Sequence, residues 1–298
     1  MYTEIAKNKR NSYFLITCFL LIIIGLCWVF SIVLSSQLVL YFGISLAVGY
    51  CIIAYFNSSK MVLAVSKAKS IEKKDSPVLY RTVENLAITA GLPTPKIYII
   101  NDPAPNAFAT GRDPKNAVIC VTTGLLEILT KPELEGVVAH EMSHIGNYDV
   151  KFMTLVVVMV GAIVLLADLF IRLSLDDSDS NSDLGGVILV VAILLAVITP
   201  IVGILMQFSF SRKREYLADS TAILLTRYPE GLASALEKLE ADTKPLKEAN
   251  RATSNLFIIN PLRKSIKGGP TSWFSGLFST HPPTAERIQR LRKMETHA

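Results

Sequence analysis

The stretch VVAHEMSHIGNYD, residues 137–149, sets two histidines and a glutamate in the pattern His-Glu-x-x-His, and an uncharged apolar run, 152–167, follows almost at once. In a helix His140 and His144 are one turn apart and face the same way. Two neutral imidazoles at that spacing can hold one Zn²⁺ at about 2.0–2.1 Å each. Glu141 projects close to the same face, near enough to take a proton from a metal-bound water, whose pKa zinc brings toward about 7. That is the equipment for attack on a peptide carbonyl. The segment TKPELEG, 130–136, suits a helix start: Thr130 and Glu133 form a capping box, and Pro132 falls in the first turn. The rival reading is a pair of surface histidines on an ordinary helix.

A catalytic zinc takes three protein ligands and keeps one position open. The segment SRKREYLADSTAILL, 211–225, offers Glu215 and Asp219 at i, i+4 on a helix rich in alanine and leucine. Such a pair suits one direct ligand and one carboxylate that hydrogen-bonds a metal-binding histidine. With Arg212, Lys213 and Arg214 adjacent, the same residues also fit a solvated, salt-bridged face, and composition leaves both readings open.

The rest of the chain is unusually apolar, 51% hydrophobic and only 18% charged over 298 residues, where a soluble domain carries about a quarter charged. No Asp, Glu, Lys or Arg occurs from Asn11 to Ser59. A helix needs roughly 20 apolar residues to cross the hydrocarbon core, and four spans are predicted, at about 12–35, 38–56, 152–173 and 187–210. The first is too long for a signal peptide and lacks a small-residue cleavage site. Lys7, Lys9 and Arg10 precede it; Lys60, Lys67, Lys69, Lys73 and Lys74 follow the second span; Arg212, Lys213 and Arg214 follow the fourth. The loop 174–186 has four aspartates and no basic residue. The positive-inside rule then puts both termini and residues 57–151 in the cytoplasm and the acidic loop outside. This topology accounts for the net charge of +5 without a nucleic-acid partner. Four cysteines, none in a Cys-x-x-Cys pair, suggest neither a thiolate zinc site nor a disulfide framework.

The expected organisation is a transmembrane hairpin at 1–56, a first cytoplasmic part at 57–151, a second hairpin at 152–210 and a second cytoplasmic part at 211–298. In the first cytoplasmic part, 75–92 reads as an amphipathic helix capped by Ser76, opened by Pro77 and ended by Gly91. PKIYIIND (95–102), NAFATG (106–111) and AVICVTTG (117–124) read as about three strands of a small sheet. His140 and His144 lie just before the third span and Glu215 just after the fourth. A hairpin between them returns the chain to the same membrane face, so all three meet near the cytoplasmic surface.

HEMSH, SRKREYLAD and STHPPTAERIQRL, with PNAFATG upstream, together resemble the HtpX family of bacterial membrane metalloproteases, relatives of the CAAX prenyl proteases. The resemblance spans nearly the whole chain, including the hydrophobic helices between the motifs. It implies an α-helical membrane protein with four transmembrane helices plus a cytoplasmic α+β zincin-like (gluzincin-type) protease domain with a small β-sheet. By resemblance, one Zn²⁺ per chain is held by His140, His144 and Glu215; Glu141 is the general base and acid; and Asp219 is the aspartate that follows the glutamate ligand and supports a histidine. It further implies quality control of misfolded or damaged membrane proteins in the bacterial cytoplasmic membrane, under heat or envelope stress. The partners are then protein or peptide substrates and the lipid bilayer.

Further expectations attach to single residues. Asn106 and Ala107 could contact an extended substrate paired to an edge strand, or only complete the sheet. His281, before a proline and so extended, could approach the site and stabilise the oxyanion, or form a turn before the last helix. Arg287 could pair with Asp219 or another site carboxylate. Asp168 and Arg172 could neutralise one another near the outer end of the third span. The segment 260–283, with its glycines, Trp273, Phe274 and Phe278, is a candidate lid. Two rivals to the quality-control protease are a dedicated processing protease of the prenyl-protease type and a zinc-stabilised membrane scaffold without turnover, which calls for a closed four-ligand site.

Overall fold

In the computed structural model, residues 2–33, 35–159, 212–242, 244–246, 253–261 and 282–295 are described. The uncharged N-terminal run folds as two long helices, α1 (Tyr2–Val33) and α2 (Gln37–Val65), joined by a tight turn in which Ser35 is left-handed (φ 47°). They pack closely: a Cβ added at Gly43 would strike the Cys27 sulfur. Phe14, Trp28, Phe42, Ile53 and Phe56 of this hairpin are each more than half exposed. Among the described residues, Leu40–Val65 is long and apolar enough to cross a membrane, with mean hydropathy 1.6.

α1 begins ten residues before the predicted span of 12–35 and α2 continues nine residues beyond that of 38–56. At the start of α1, Asn8 and Ser12 are buried against the rest of the chain, which fixes its first turns. At the end of α2, Val62 and Leu63 join a core cluster with Phe108 and Phe257, so the helix continues through Asn57–Lys60. The boundary drawn at 56/57 on composition therefore falls inside α2.

The sheet has four strands: β1 (Lys69–Ser70), β2 (Lys96–Ile100), β3 (Ala107–Thr110) and β4 (Val118–Thr122), in the order β1-β2-β4-β3. β2 and β4 are parallel and the outer pairs antiparallel, with Ala107 opposite Val121 and Ile97 opposite Ile119. Sequence patterning missed β1, whose two exposed residues carry no alternation to detect. Helix α3 (Pro77–Ala90) has Pro77 in its first turn and a left-handed Gly91 (φ 65°) after its last, as expected, while Ser76 holds the N-cap position without the expected side-chain capping bond. A short helix α4 (Thr123–Ile128), capped by the Thr122 hydroxyl, leads from β4 into α5 (Lys131–Gly146).

Helix α5 is the axis of the domain. Its capping box forms as expected, and Lys238 reaches Glu133 at 2.7 Å to brace the first turn. Val137, Val138, Ala139, Met142 and Ile145 are fully buried, each large side chain worth about 1.5–3 kcal/mol relative to exposure. One flank lies on the sheet, the other on α7 (Arg212–Thr226) and α8 (Pro229–Ala241). Between them comes α6, helical from 149 through the described residues to 159. α5 and α8 touch backbone to backbone. A Cβ at Gly136 would lie 2.7 Å from the Leu232 nitrogen, and one at Gly231 would lie 2.7 Å from the Pro132 oxygen.

α6 turns off α5 at Asn147–Tyr148, where Tyr148 is left-handed (φ 60°). Its Phe152, Leu155, Val156 and Met159 pack on Leu15, Phe19 and Cys51 of the α1–α2 hairpin. The predicted third span starts here. The rest of that span, with Asp168 and Arg172, the acidic loop and the fourth span lie outside the described residues. The last helix, α9 (Thr284–Glu295), docks on α8, where Arg292 pairs with Glu230 and Glu237. The cysteines are free; Cys120 is fully buried in β4 and burial pushes its thiol pKa well up, as for a packing residue.

Candidate metal centre

The two histidines project from the buried flank of α5 with their rings edge to face, 4.8 Å apart, and their Nε2 atoms 3.2 Å from each other. Glu215, in the first turn of α7, reaches the same point: its Oε1 lies 3.6 Å from His144 Nε2 and its Oε2 3.8 Å from His140 Nε2. Ligand atoms of all three residues fall within 4.8 Å of one another, and all three are buried. Two nitrogens bound at about 2.0–2.1 Å to a tetrahedral centre lie about 3.3 Å apart, so the imidazole pair already has the spacing a zinc ion requires. Two nitrogens and one carboxylate leave a fourth position open, and the donor set therefore fits a zinc of the catalytic kind.

Each histidine is held from behind. His140 Nδ1 lies 2.9 Å from Asp219 Oδ1, and His144 Nδ1 lies 3.0 Å from Asp149 Oδ2. A carboxylate on Nδ1 fixes the tautomer and turns the Nε2 lone pair toward the metal position. Asp219 sits one turn after Glu215, so α7 supplies a donor and a support from consecutive turns. Asp149 is 1% exposed. It closes the thirteen-residue stretch with which the sequence analysis began and received no role there; its only signal was a carboxylate five residues past a histidine, just before an apolar helix.

Arg287, on α9, is also 1% exposed. Its guanidinium grips Asp219 with two hydrogen bonds, Nε to Oδ2 at 3.0 Å and Nη2 to Oδ1 at 2.7 Å, and Nη1 lies 3.8 Å from Glu215 Oε2. Nη1 also donates to the Ile258 carbonyl at 3.3 Å. Of the two partners foreseen for Arg287, Asp219 is the one it grips, with Glu215 nearby.

Burial and charge split the histidines. Burial, then the Arg287 charge, pushes the His140 pKa down to about 4. Burial also opposes a charge on His144, but the Asp149 hydrogen bond and the carboxylates of Glu215, Asp149 and Glu141 outweigh it and push its pKa up to about 9. Burial resists ionisation of Asp219, yet Arg287 and His140 together hold it down to about 2. Glu141 lies between the two histidines in α5, 2% exposed.

Asn106 and Ala107 stand at the free edge of β3, and the chain's own segment occupies it. The Ile258 amide donates to Ala107 O at 2.9 Å, and the Asn106 side chain donates to Ile259 O at 2.8 Å. Phe257 stacks edge-on against Phe108. A substrate strand pairing with Ala107 would replace the Ile258 bond. His281 and most of the candidate lid lie outside the described residues.

A family model described as Peptidase family M48 matches residues 73–295. A protein named Protease HtpX homolog from Tropheryma whipplei (strain Twist) is 44% identical over 294 residues, covering 99% of this chain and 98% of its own length. One of the same name from Dictyoglomus thermophilum is 45% identical over 302 residues, covering 98% and 94%. Among solved structures, the crystal structure of S. mikatae Ste24p matches with a TM-score of 0.50 at 19% identity, covering 98% of this chain and 67% of that one. At that identity the likeness concerns the fold.

Proposed function

The chain belongs to peptidase family M48 and is an HtpX-like, membrane-associated metalloprotease, and on that premise we propose that it is a zinc endopeptidase in which His140, His144 and Glu215 bind the ion and Glu141 is the general base and acid. The observation that carries this reading is the convergence of those three ligands from helices 71 residues apart in sequence, His144 to Glu215, on a spacing that suits zinc. Zinc bound there supplies a Lewis acid for the scissile carbonyl and brings the pKa of a water toward about 7.

The chain's own residues do the rest. Glu141, next to His140 on the same buried helix, takes the proton of the attacking water and delivers it to the leaving amine. Asp219 and Asp149 keep the histidine rings oriented, each accepting the Nδ1 proton so that Nε2 stays a ligand. Arg287 balances the charge of Asp219 and Glu215 inside a site with almost no solvent contact. Desolvation strengthens each of these interactions.

We further propose that the site faces the cytoplasm against the bilayer, with four spans and both termini cytoplasmic in a bacterial plasma membrane. The Lys and Arg distribution supports this, as does the start of α6 five residues beyond His144. Such placement suits misfolded or damaged membrane proteins as substrates, partly drawn out of the lipid.

Cleavage of unfolded casein by detergent-purified protein, metal-free and zinc-loaded, beside Glu141→Gln tests the reading. We expect zinc-dependent cleavage that falls about 10²–10⁴-fold in the variant, with one zinc per chain retained. Full activity in Glu141→Gln, or cleavage indifferent to zinc removal, would overturn it.

A further inference from the structure

The buried carboxylate of Asp149 has more than one partner. Besides His144, its Oδ1 accepts from Asn8 Nδ2 at 2.7 Å and lies 3.7 Å from Arg214 Nε. Asn8 belongs to the second turn of α1, 141 residues from Asp149 in sequence, and is 1% exposed. Its amide is used at both ends: Nδ2 donates also to the Asn147 carbonyl at 2.9 Å, and Oδ1 accepts from Arg214 Nη1 at 3.2 Å. Arg214 immediately precedes Glu215 in α7. One side chain of the first helix therefore touches both the carboxylate behind His144 and the arginine next to Glu215 in α7.

The residue type matters at this point. A carboxylate next to Asp149 would repel it, and a lysine would offer Arg214 no acceptor. A leucine would remove the hydrogen bonds that residue 8 makes to Asp149 Oδ1 and Arg214. An amide both donates to a carboxylate and accepts from a guanidinium. By contrast, the neighbouring Lys9 lies with its ammonium 4.3 Å over the Tyr148 ring, a contact that docks the same turn of α1.

We propose that Asn8 is a positioning residue of the metal centre: through Asp149 it fixes the His144 ring, and through Arg214 the helix start that carries Glu215. The first turns of the membrane hairpin are thereby part of the metal-binding apparatus rather than only a topological signal. This rests on the ligand roles of His144 and Glu215 proposed above.

The test uses the full chain in detergent, with zinc affinity measured by chelator competition and ligand geometry by the visible spectrum of the Co²⁺-substituted protein. Partners behind a metal-bound histidine typically contribute 10–100-fold in metal affinity, so Asn8→Ala should bind zinc about 10–100-fold more weakly and shift the Co²⁺ bands. The isosteric Asn8→Asp should do the same and serves if the alanine variant does not purify folded. Lys9→Ala should keep zinc affinity within about two-fold and an unchanged spectrum. Wild-type affinity and spectrum in both Asn8 variants would overturn the proposal, as would an equal loss in Lys9→Ala, which would mark simple helix docking. His144→Ala separates the two levels of the argument: wild-type zinc binding there would remove the ligand assignment itself.

Discussion

Replacing Arg287 by methionine should be among the most damaging single changes outside the ligands. The side chain is 1% exposed and makes two charged hydrogen bonds to Asp219, at 3.0 and 2.7 Å, and one to Ile258 O at 3.3 Å. Without it, Asp219 and Glu215, each 3% exposed, remain as two buried carboxylates with no cation gripping Asp219. Breaking a buried ion pair from one side costs about 3–5 kcal/mol, a large part of the roughly 5–15 kcal/mol that a domain has in total. Arg287→Lys should recover little, because an ammonium cannot make the two-pronged contact. Arg287→Met combined with Asp219→Asn removes the stranded charge and should recover about 1–3 kcal/mol relative to the sum of the single changes. Denaturant unfolding of the metal-free protein in detergent, followed by circular dichroism, measures the wild type, Arg287→Met, Arg287→Lys, Asp219→Asn and the double variant without interference from bound ion. A loss under about 1 kcal/mol in Arg287→Met, or strict additivity in the double variant, would refute the buried pair as the source of the stability.

Three further outcomes follow from particular contacts. Gly136→Val places a side chain against the Leu232 backbone, where even a Cβ would come within 2.7 Å; α5 and α8 must separate, at a cost of about 1–3 kcal/mol, and an unchanged melting temperature would contradict that packing. Glu133 titrates below its ordinary 4.5 because, against the opposing effect of burial, the Lys238 ammonium and the Thr130 amide and hydroxyl favour its charged form. Its stabilisation is therefore complete above pH 4.5 and lost as pH falls through the lowered folded value, so Glu133→Gln should cost about 1 kcal/mol at neutral pH and flatten the acid limb of the stability curve. The same limb in wild type and variant would count against it. Chelation should lower the melting temperature by removing a linkage stabilisation of about 2.7 kcal/mol when free zinc stands at 100 times its Kd, whereas an equal melting temperature with and without chelator would mean that the folded chain binds the ion no better than the unfolded one.

Where local chemistry decides a structure, the sequence was readable. The Thr130–Glu133 box, Pro77 and Gly91 mark helix ends through backbone rules that need no tertiary context, and they stand as expected. Short apolar runs bounded by turn residues marked β2, β3 and β4 for the same reason, while the two-residue β1 is too short to show such a run. His140, Glu141 and His144 are legible because one helix places them. Glu215 needed the resemblance, because its own neighbourhood of three basic residues looks like a solvated face, and only packing against α5 buries it. Asp149 and Asn8 were not legible at all. A hydrogen bond across 141 residues leaves no trace in spacing or composition, and Asn8 sits among Lys7, Lys9 and Arg10, where charge draws the eye to topology.

The centre draws on five helices: α1 brings Asn8, α5 both histidines, α6 Asp149, α7 Glu215 and Asp219, and α9 Arg287. None of these segments satisfies its buried polar groups alone. Asp149 needs α1, Asp219 needs α9, and His140 needs α7, so a partly folded chain exposes unpaired charge instead of a half-built site. His140, His144 and Glu215 come from α5 and α7 and their buried partners from α1, α6 and α9, which ties the proposed hydrolytic chemistry to the docking of these helices rather than to the presence of the His-Glu-x-x-His helix alone.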